Sequence, residues 1–272
     1  MQDSDSRVRP TFVTLEGIGL RSGRPASVVL HAREGPFSFA VLGEEVDRCA
    51  LRIDETDRAT VVRAGASSIA TVEHLLAACA ALGLHEGLRV EVRGGEVPLL
   101  DGSARAFVRA LGTLELPAYP PPLVVRREAT LAHGESQYTF RPASTTRLDV
   151  TLSFDDPRVK PDAAWAGSSD DFCGRIAAAR TFAFAHEVSA LAAMGHASHV
   201  DPASVVVLAE GAVLSSGEPF TADEPARHKL IDLMGDLFLY GGPPVGSIHA
   251  FRPGHRATHA ILREAIARRV VS

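Results

Sequence analysis

The sequence lacks the features that mark secreted, membrane-spanning and nucleic-acid-binding proteins. Its 272 residues include three cysteines, too few for a disulfide framework, which favours a reducing compartment. The longest apolar run, residues 75–84, is about half as long as a membrane-spanning helix, and the N-terminal segment has no apolar signal-peptide core. Lys and Arg number 28 against 33 for Asp and Glu, a net charge of −5, so no basic field attracts nucleic acid. We therefore expect a cytoplasmic protein without an integral membrane segment or a nucleic-acid partner.

Several common catalytic and nucleotide-binding motifs are also absent. The chain contains no GxGxxG, GxxxxGK[ST] or GxSxG pattern, so a dinucleotide site, a P-loop and a serine-hydrolase elbow are not predicted. His186 and Glu187 open like the HExxH helix of zinc proteases, but Ala190 stands at the second histidine position. The usual zinc-protease helix is therefore not predicted.

A proline-rich segment divides the chain into two halves of similar pattern. Residues 116–123 read LPAYPPPL, with four prolines in eight positions, which neither a helix nor a central strand accommodates. Both halves show strand-like apolar runs followed by helical ones. Hydrophobic residues at 46% and charged residues at 22% allow a packed core. We predict an α+β fold of two similar domains, residues 1–117 and 118–272.

The first informative helix is predicted over residues 71–83. Thr71 is the expected N-cap and Gly83 the expected C-terminal glycine. The helix is apolar all round after His74, which indicates burial. Glu73 and His74 are then polar groups in a buried first turn, where an unpartnered carboxylate is costly. Capping of the helix dipole is an alternative account of Glu73, but the dipole disfavours a cationic histidine at that end.

The second informative helix is predicted over residues 225–240. His228, Asp232 and Asp236 are spaced i, i+4 and i+8, so they form one polar stripe on an otherwise apolar helix. An exposed salt-bridge face is the alternative, but the remaining faces are too apolar for a surface helix. Two carboxylates four residues apart also repel each other unless a cation lies between them.

A divalent metal ion accounts for both helices. His228 and Asp232 can bind one ion from a single helical face, and His74 can supply a third ligand. Two histidines and one aspartate with an open fourth position are typical of a hydrolytic zinc site, where the pKa of a bound water falls toward ~7. Glu73 adjoins a ligand and is placed to act as the general base.

A third segment supplies a candidate general acid. His255 follows Pro253-Gly254 and opens a helix predicted to run to about Arg268. A histidine without a role at a helix start is the alternative. His259, four residues further on, offers a rival metal pair with His255.

Six segments, in order along the chain, resemble those of one protein family. They are GIGLRSG (residues 17–23), ATVEHLLAACAALGL (70–84), VPLLDGSARAFV (97–108), ARTFAF (179–184), EPARHKLIDLMGDLFLYG (224–241) and PGH (253–255). Together they resemble the zinc-dependent UDP-3-O-acyl-N-acetylglucosamine deacetylases of lipid A biosynthesis. The resemblance spans nearly the whole chain, and TVEHL combined with RHKxxDxxGDL is highly specific.

The resemblance implies a fold, a cofactor and a set of site residues. Each of the two domains would be a β-sheet with helices, and the helices would lie between the two sheets. The cofactor would be Zn²⁺, although Fe²⁺ accepts the same ligands, and the substrate would be an acylated UDP-amino sugar bound by a monomer.

The resemblance also implies a role for each site residue. His74, His228 and Asp232 would bind the zinc ion, Glu73 would be the general base, and His255, oriented by Asp236, would be the general acid. Thr181 would hold the oxyanion, Phe182 and Lys229 would contact the substrate, and residues 185 to about 208 would form the acyl-chain passage.

The sequence departs from the family pattern mainly in segments expected to support or line the substrate site. Arg21 stands where the family usually has His, Gly87 and His259 where it usually has Asn, and His196 in a segment that is usually GGS-like. Two alternatives follow. One is a divergent paralogue that deacetylates another N-acetyl sugar nucleotide, and the other is a non-catalytic paralogue that binds the ligand.

Overall fold

The computed structural model describes residues 10–54, 58–188 and 204–272. These residues form an α+β architecture with two five-stranded and two three-stranded sheets. Strands of the first half are β1 (Phe12–Ile18), β2 (Pro25–Pro36), β3 (Ser38–Val41), β4 (Glu44–Asp47), β5 (Arg52–Asp54), β6 (Val61–Ala64), β7 (Ser67–Ala70) and β8 (Glu86–Arg93). Those of the second half are β9 (Ala129–His133), β10 (Ser136–Arg141), β11 (Thr146–Thr151), β12 (Asp162–Trp165), β13 (Thr181–Phe184), β14 (Val205–Ala209), β15 (Ala212–Leu214) and β16 (Gly246–Phe251).

Helices connect and cover these strands. They include α1 (Glu73–Ala81), α2 (Arg105–Leu111), α3 (Ser169–Asp171), α4 (Glu224–Phe238) and α5 (His255–Ala267). Within the described part of the chain, no helix combines the length and the apolar character needed to cross a membrane.

The large sheet of the first half has the order β1-β2-β8-β3-β4. Its strands pair antiparallel except β3, which is parallel to β8. Strand β8 shows the period of two that a half-buried strand requires: Leu88, Val90 and Val92 are buried, and Arg89 is partly exposed between them. A small antiparallel sheet, β5-β6-β7, precedes α1, and its last strand ends just before the first turn of α1.

The large sheet of the second half has the order β12-β11-β16-β10-β9. Strand β16 lies at its centre, parallel to β11 and antiparallel to β10. The inner face of this sheet carries four completely buried side chains, Tyr138, Phe140, Leu148 and Ile248. The smaller sheet β13-β14-β15 begins with Thr181, so it presents the ARTFAF segment beside α4.

The two central helices, α1 and α4, belong to both cores. Leu75 and Leu76 of α1 pack in the core of the first half, whereas Ala77 packs in the core of the second. Conversely, α4 contributes Leu233 to the second core and Phe238 to the first. The expected arrangement, with helices between the two large sheets, is confirmed, and it explains why both helices are apolar around most of their circumference.

Gly235 permits a close crossing of these two helices. A Cβ atom at this position would lie 2.0 Å from the carbonyl oxygen of Glu73, a distance that no side chain tolerates. The missing side chain therefore lets the first turn of α1 approach the middle of α4. This approach brings together the two polar stripes that the sequence predicts.

The predicted N-cap of α1 is wrong, and its predicted C-terminus is correct. Thr71 has a φ of +60° and its hydroxyl donates to the buried Glu96 carboxylate at 2.9 Å, so it does not cap the helix, which begins at Glu73. Gly83 has a φ of +70°, and the Leu84 amide returns to the Cys79 carbonyl. This is the left-handed glycine termination that the sequence predicts.

Candidate metal centre and active site

The three predicted ligands lie together where α1 crosses α4. The Nε2 atoms of His74 and His228 are 3.1 Å apart, and His74 Nε2 lies 3.4 Å from Asp232 Oδ1. All three side chains are buried. The i, i+4 spacing of His228 and Asp232 places both on one face of α4, and His74 reaches them from the first turn of α1. The structure therefore brings the three predicted ligands together.

The chemistry and spacing of these groups fit a divalent cation. Two ligand atoms bound to one tetrahedral zinc ion lie about 3.3 Å apart, given bond lengths near 2.0–2.1 Å, and the separations here are 3.1 and 3.4 Å. Two neutral imidazole nitrogens that face each other in a buried site also need a shared cation or a shared proton. Burial lowers the pKa of His228 to about 3, so this ring is neutral and suited to ligation.

Asp232 is the carboxylate of this cluster of candidate ligands. Burial alone would raise the pKa of this carboxyl, but the Lys229 ammonium beside it helps to hold the pKa well below its usual range. Lys229 Nζ lies 2.9 Å from Asp232 Oδ2, and this ion pair raises the pKa of Lys229 against the opposing effect of burial. The cluster thus holds an ionised carboxylate between neutral and cationic neighbours.

Glu73 lies beside the ligand cluster and is also buried. Burial raises the pKa of its carboxyl, with Asp232 adding repulsion and His255 opposing it. The backbone N–H of Thr60 donates to Oε2 at 3.2 Å, and Oε1 lies 3.9 Å from His255 Nε2. One carboxylate oxygen is therefore held by the backbone, and the other faces the candidate acid.

His255 is the first residue of α5 and is buried against Asp236. Its Nδ1 lies 2.9 Å from Asp236 Oδ2. Burial would lower the pKa of His255, but the Asp236 carboxylate and its hydrogen bond, with Asp232 and Glu73, raise it to about 9. Its Nε2 is left facing Glu73 Oε1 and Asp232 Oδ2, each 3.9 Å away. A protonated ring thus points its second N–H into the site.

Comparison with known proteins agrees with this geometry. The sequence model of the LpxC family, described as UDP-3-O-acyl N-acetylglycosamine deacetylase, matches residues 10–267. The chain belongs to this family. A UDP-3-O-acyl-N-acetylglucosamine deacetylase from Myxococcus xanthus (strain DK1622) is 32% identical over 97% of this chain and 87% of its own length. Its counterpart from Anaeromyxobacter sp. (strain Fw109-5) is 34% identical over 94% of this chain and 86% of its own length, and that from Syntrophotalea carbinolica is 32% identical over 94% and 85%.

The remaining residues expected from the family lie on two elements beside the cluster. The Phe182 ring meets the His228 ring edge-on, with centroids 5.6 Å apart, and Lys229 Nζ lies 5.9 Å from the centroid of Phe182. Thr181 begins the same strand, and its hydroxyl donates to the Gly102 carbonyl at 3.1 Å. The structure thus places Phe182 and Lys229 against the cluster, whereas the Thr181 proton is directed to the backbone.

The predicted acyl-chain passage lies partly outside the described residues. Residues 189–203, which include His196, are not described. Next to the start of this region, the Phe182, Phe184 and Phe154 rings contact one another edge-on, with centroids 5.1–6.3 Å apart. An apolar surface therefore adjoins the candidate ligand cluster on the side of Phe182.

His259 does not form the rival metal pair with His255. Among the residues that the structure describes, the groups close enough to share an ion are His74–His228–Asp232 and Glu73–Asp232–His255. His259 Nε2 instead lies 3.5 Å from Asp236 Oδ1 and 3.1 Å from the Thr60 hydroxyl oxygen.

Two functional contacts have no signal in the sequence. Thr60 contacts both Glu73 and Asp236, but a lone threonine before a short strand is unremarkable in the sequence. Arg180 and Glu224 form a buried ion pair at 2.8 Å that ties the residue before Thr181 to the first turn of α4. The spacing of 44 residues between Arg180 and Glu224 gives the sequence no reason to join them.

Proposed function

We propose that this chain is a metal-dependent deacetylase that hydrolyses the acetamide of UDP-3-O-acyl-N-acetylglucosamine. The products are acetate and a free glucosamine amine, an intermediate of lipid A biosynthesis. The supporting observation is that His74, His228 and Asp232 meet with Glu73 and His255 in one buried cluster. This cluster occurs in a chain that matches the deacetylase family over residues 10–267.

The metal we propose is Zn²⁺, held by His74, His228 and Asp232. Two imidazoles and one carboxylate leave a coordination position open for water or substrate, and Fe²⁺ accepts the same ligand set. When bound, such an ion polarises the acetamide carbonyl and lowers the pKa of an attacking water. All remaining catalytic tasks fall to side chains of this chain.

Glu73 is the proposed general base. Its raised pKa brings the carboxylate closer to the pH at which it works, which favours proton transfer from water. The backbone N–H of Thr60 occupies Oε2, so Oε1 is the oxygen that accepts the proton. Oε1 lies 3.9 Å from His255 Nε2, so the proposed base and the proposed acid are neighbours in the site.

His255 is the proposed general acid, and Asp236 is the residue that orients it. With a pKa of about 9, the ring is protonated at neutral pH. Its Nδ1–H is held by Asp236, so the Nε2–H points toward Glu73 and Asp232. The imidazolium therefore stabilises the negative charge of the tetrahedral intermediate and then protonates the leaving amine.

Three further residues are proposed to bind the substrate or the intermediate. The Thr181 hydroxyl would turn from the Gly102 carbonyl toward the oxyanion. Lys229 would contact polar groups of the sugar, and Phe182 would line the apolar side of the site. Their support is position: Phe182 packs on His228, and Lys229 contacts both Asp232 and the Phe182 ring.

We also propose that residues 1–117 and 118–272 are two domains that share this site. The first would supply Glu73 and His74, and the second would supply α4 and α5. A monomer would suffice for activity, because every residue assigned to the reaction comes from one chain.

The test is acetate release by the purified, metal-loaded protein. We expect turnover of UDP-3-O-acyl-N-acetylglucosamine and much slower turnover of UDP-N-acetylglucosamine, which lacks the acyl chain. Turnover confined to another N-acetyl sugar nucleotide would support the divergent-paralogue alternative. Tight binding of the acylated sugar nucleotide without acetate release would support a non-catalytic paralogue and would contradict the proposed activity.

A further inference from the structure

Thr60 contacts both halves of the acid–base machinery. It lies immediately before β6 and is 1% exposed. Its backbone N–H donates to Glu73 Oε2 at 3.2 Å, and its hydroxyl donates to Asp236 Oδ1. The same hydroxyl oxygen lies 3.2 Å from His255 Nδ1. One residue therefore touches the proposed base, the proposed acid and the carboxylate that orients the acid.

The direction of the Thr60 hydroxyl follows from its neighbours. A hydroxyl has one proton to donate and two lone pairs that accept. Asp236 is ionised, because the His255 ring lowers the pKa of its buried carboxyl against the effect of burial, and an ionised carboxylate only accepts. The Thr60 proton must therefore go to Asp236, which leaves the oxygen lone pairs for ring N–H groups.

His259 fits the acceptor side of this hydroxyl. Its Nε2 lies 3.1 Å from Thr60 Oγ1, and its Nδ1 lies 3.2 Å from the hydroxyl of Tyr240. A neutral ring protonated at Nε2 donates to Thr60 and accepts from Tyr240. The hydrogen bonds then run in one direction, from Tyr240 through His259 and Thr60 to Asp236, whose other oxygen holds His255 Nδ1.

We propose that Thr60 is a positioning residue that fixes Glu73 and the Asp236–His255 pair relative to each other, and that His259 sets the direction of its hydroxyl. This inference rests on the proposed function for the roles of Glu73 and His255. Asp236 Oδ1 is held by Thr60 and Oδ2 by His255, so the carboxylate has little freedom to rotate. Loss of the hydroxyl removes the Thr60 hydrogen bond to Oδ1 and leaves Asp236 held by the ring nitrogens alone, so Asp236 and the His255 ring can turn together.

The principal experiment compares Thr60→Val with Thr60→Ser in the metal-loaded protein. Valine keeps the shape and the backbone N–H but removes the hydroxyl, whereas serine keeps both hydrogen-bonding groups. We expect Thr60→Val to lower kcat by ~10- to 100-fold, the usual effect of losing an orienting hydrogen bond. KM and bound metal should stay within about twofold, because the contacts of Thr60 are with Glu73, Asp236, His255 and His259. These are not the residues proposed to bind the metal or the sugar. Thr60→Ser should restore most of kcat.

A spectroscopic readout separates this inference from the proposed function. The Nδ1 proton of His255, shielded and hydrogen-bonded to a carboxylate, should give a slowly exchanging downfield proton resonance in NMR spectra. We expect it to persist in Thr60→Ser and to broaden or vanish in Thr60→Val. If the wild-type protein releases no acetate, the proposed function fails, but the resonance still decides whether Thr60 positions His255.

Two controls test the mechanism without depending on one variant. His259→Gln can place an amide N–H where Nε2 stands and should retain kcat and the resonance, whereas His259→Leu should behave like Thr60→Val. Thr113→Val removes a hydroxyl bonded to the Ala110 carbonyl, away from the site, and should change neither readout. A wild-type kcat and an unchanged His255 resonance in both Thr60→Val and His259→Leu would overturn the inference.

Discussion

Replacement of Asp236 by Asn is the sharpest test of the acid assigned to this site. Asparagine has nearly the same shape and can still accept from His255 Nδ1, but it carries no charge. The Asp236 carboxylate lies 2.9 Å from His255 Nδ1 and is the main group that raises the pKa of this ring from 6.5 to about 9. The substitution therefore tests charge with little change in packing.

The expected magnitude follows from that shift. A rise from 6.5 to about 9 corresponds to about 3 kcal/mol in favour of the protonated ring, at 1.36 kcal/mol per pKa unit. At pH 8 a group with a pKa of 9 is roughly 90% protonated and one with a pKa of 6.5 roughly 3%. If the imidazolium is the acid and the substitution returns its pKa to 6.5, Asp236→Asn should lower kcat at pH 8 by ~30-fold through protonation alone.

The pH profile of kcat is the assay that distinguishes this account from a general loss of structure. A raised pKa keeps the acid form present below about pH 9, so activity should fall as the pH rises through that value. In Asp236→Asn the alkaline limb should move down toward 6.5, and the loss should shrink at lower pH. An alkaline limb that stays near 9 in the variant would refute the assignment of His255, because its proton would then not depend on Asp236.

Other residues give shorter tests. Glu73→Gln should lower kcat by ~10²- to 10⁴-fold in an acetate-release assay, with bound zinc unchanged by elemental analysis; near-normal turnover would exclude it as the base. His74→Ala should reduce zinc content at equal protein concentration, and full occupancy would show that it is not a ligand. Gly235→Ala should cost about 3 kcal/mol or more in unfolding free energy, because its Cβ would lie 2.0 Å from the Glu73 carbonyl; a wild-type denaturation midpoint would contradict that packing. Glu224→Gln leaves the buried Arg180 charge partly uncompensated, so it should cost about 3–5 kcal/mol in urea unfolding, and a loss below about 1 kcal/mol would mean that the pair is not buried in solution.

Sequence reasoning succeeded where the relevant information is local. The i, i+4, i+8 spacing of His228, Asp232 and Asp236 requires only that the segment be a helix, since helical geometry then places all three on one face. The apolar surroundings of that face predict burial, and burial demands a compensating charge. The same logic applies to Glu73 and His74 at the start of α1.

Local reasoning failed where two hydrogen-bonding options compete. Thr71 has the right type and position for an N-cap, but its hydroxyl donates to Glu96, which is 25 residues away in the chain. His259 has the right spacing for a metal pair with His255, yet its ring faces Thr60 and Asp236. In both cases the residue type and spacing suit the predicted role. The side chain nevertheless bonds to a partner from another element, which the local sequence does not show.

The sequence by itself determined which side chains share a helix face, and hence the three candidate metal ligands and the neighbouring base. Helical periodicity is a property of the backbone and is independent of what packs against it. Only the tertiary structure decided that Gly235 lets α1 and α4 cross closely enough for His74 to reach His228. It also decided that Thr60 joins Asp236 across 176 residues of chain, because contacts between elements depend on how their surfaces fit, and no local spacing encodes that fit.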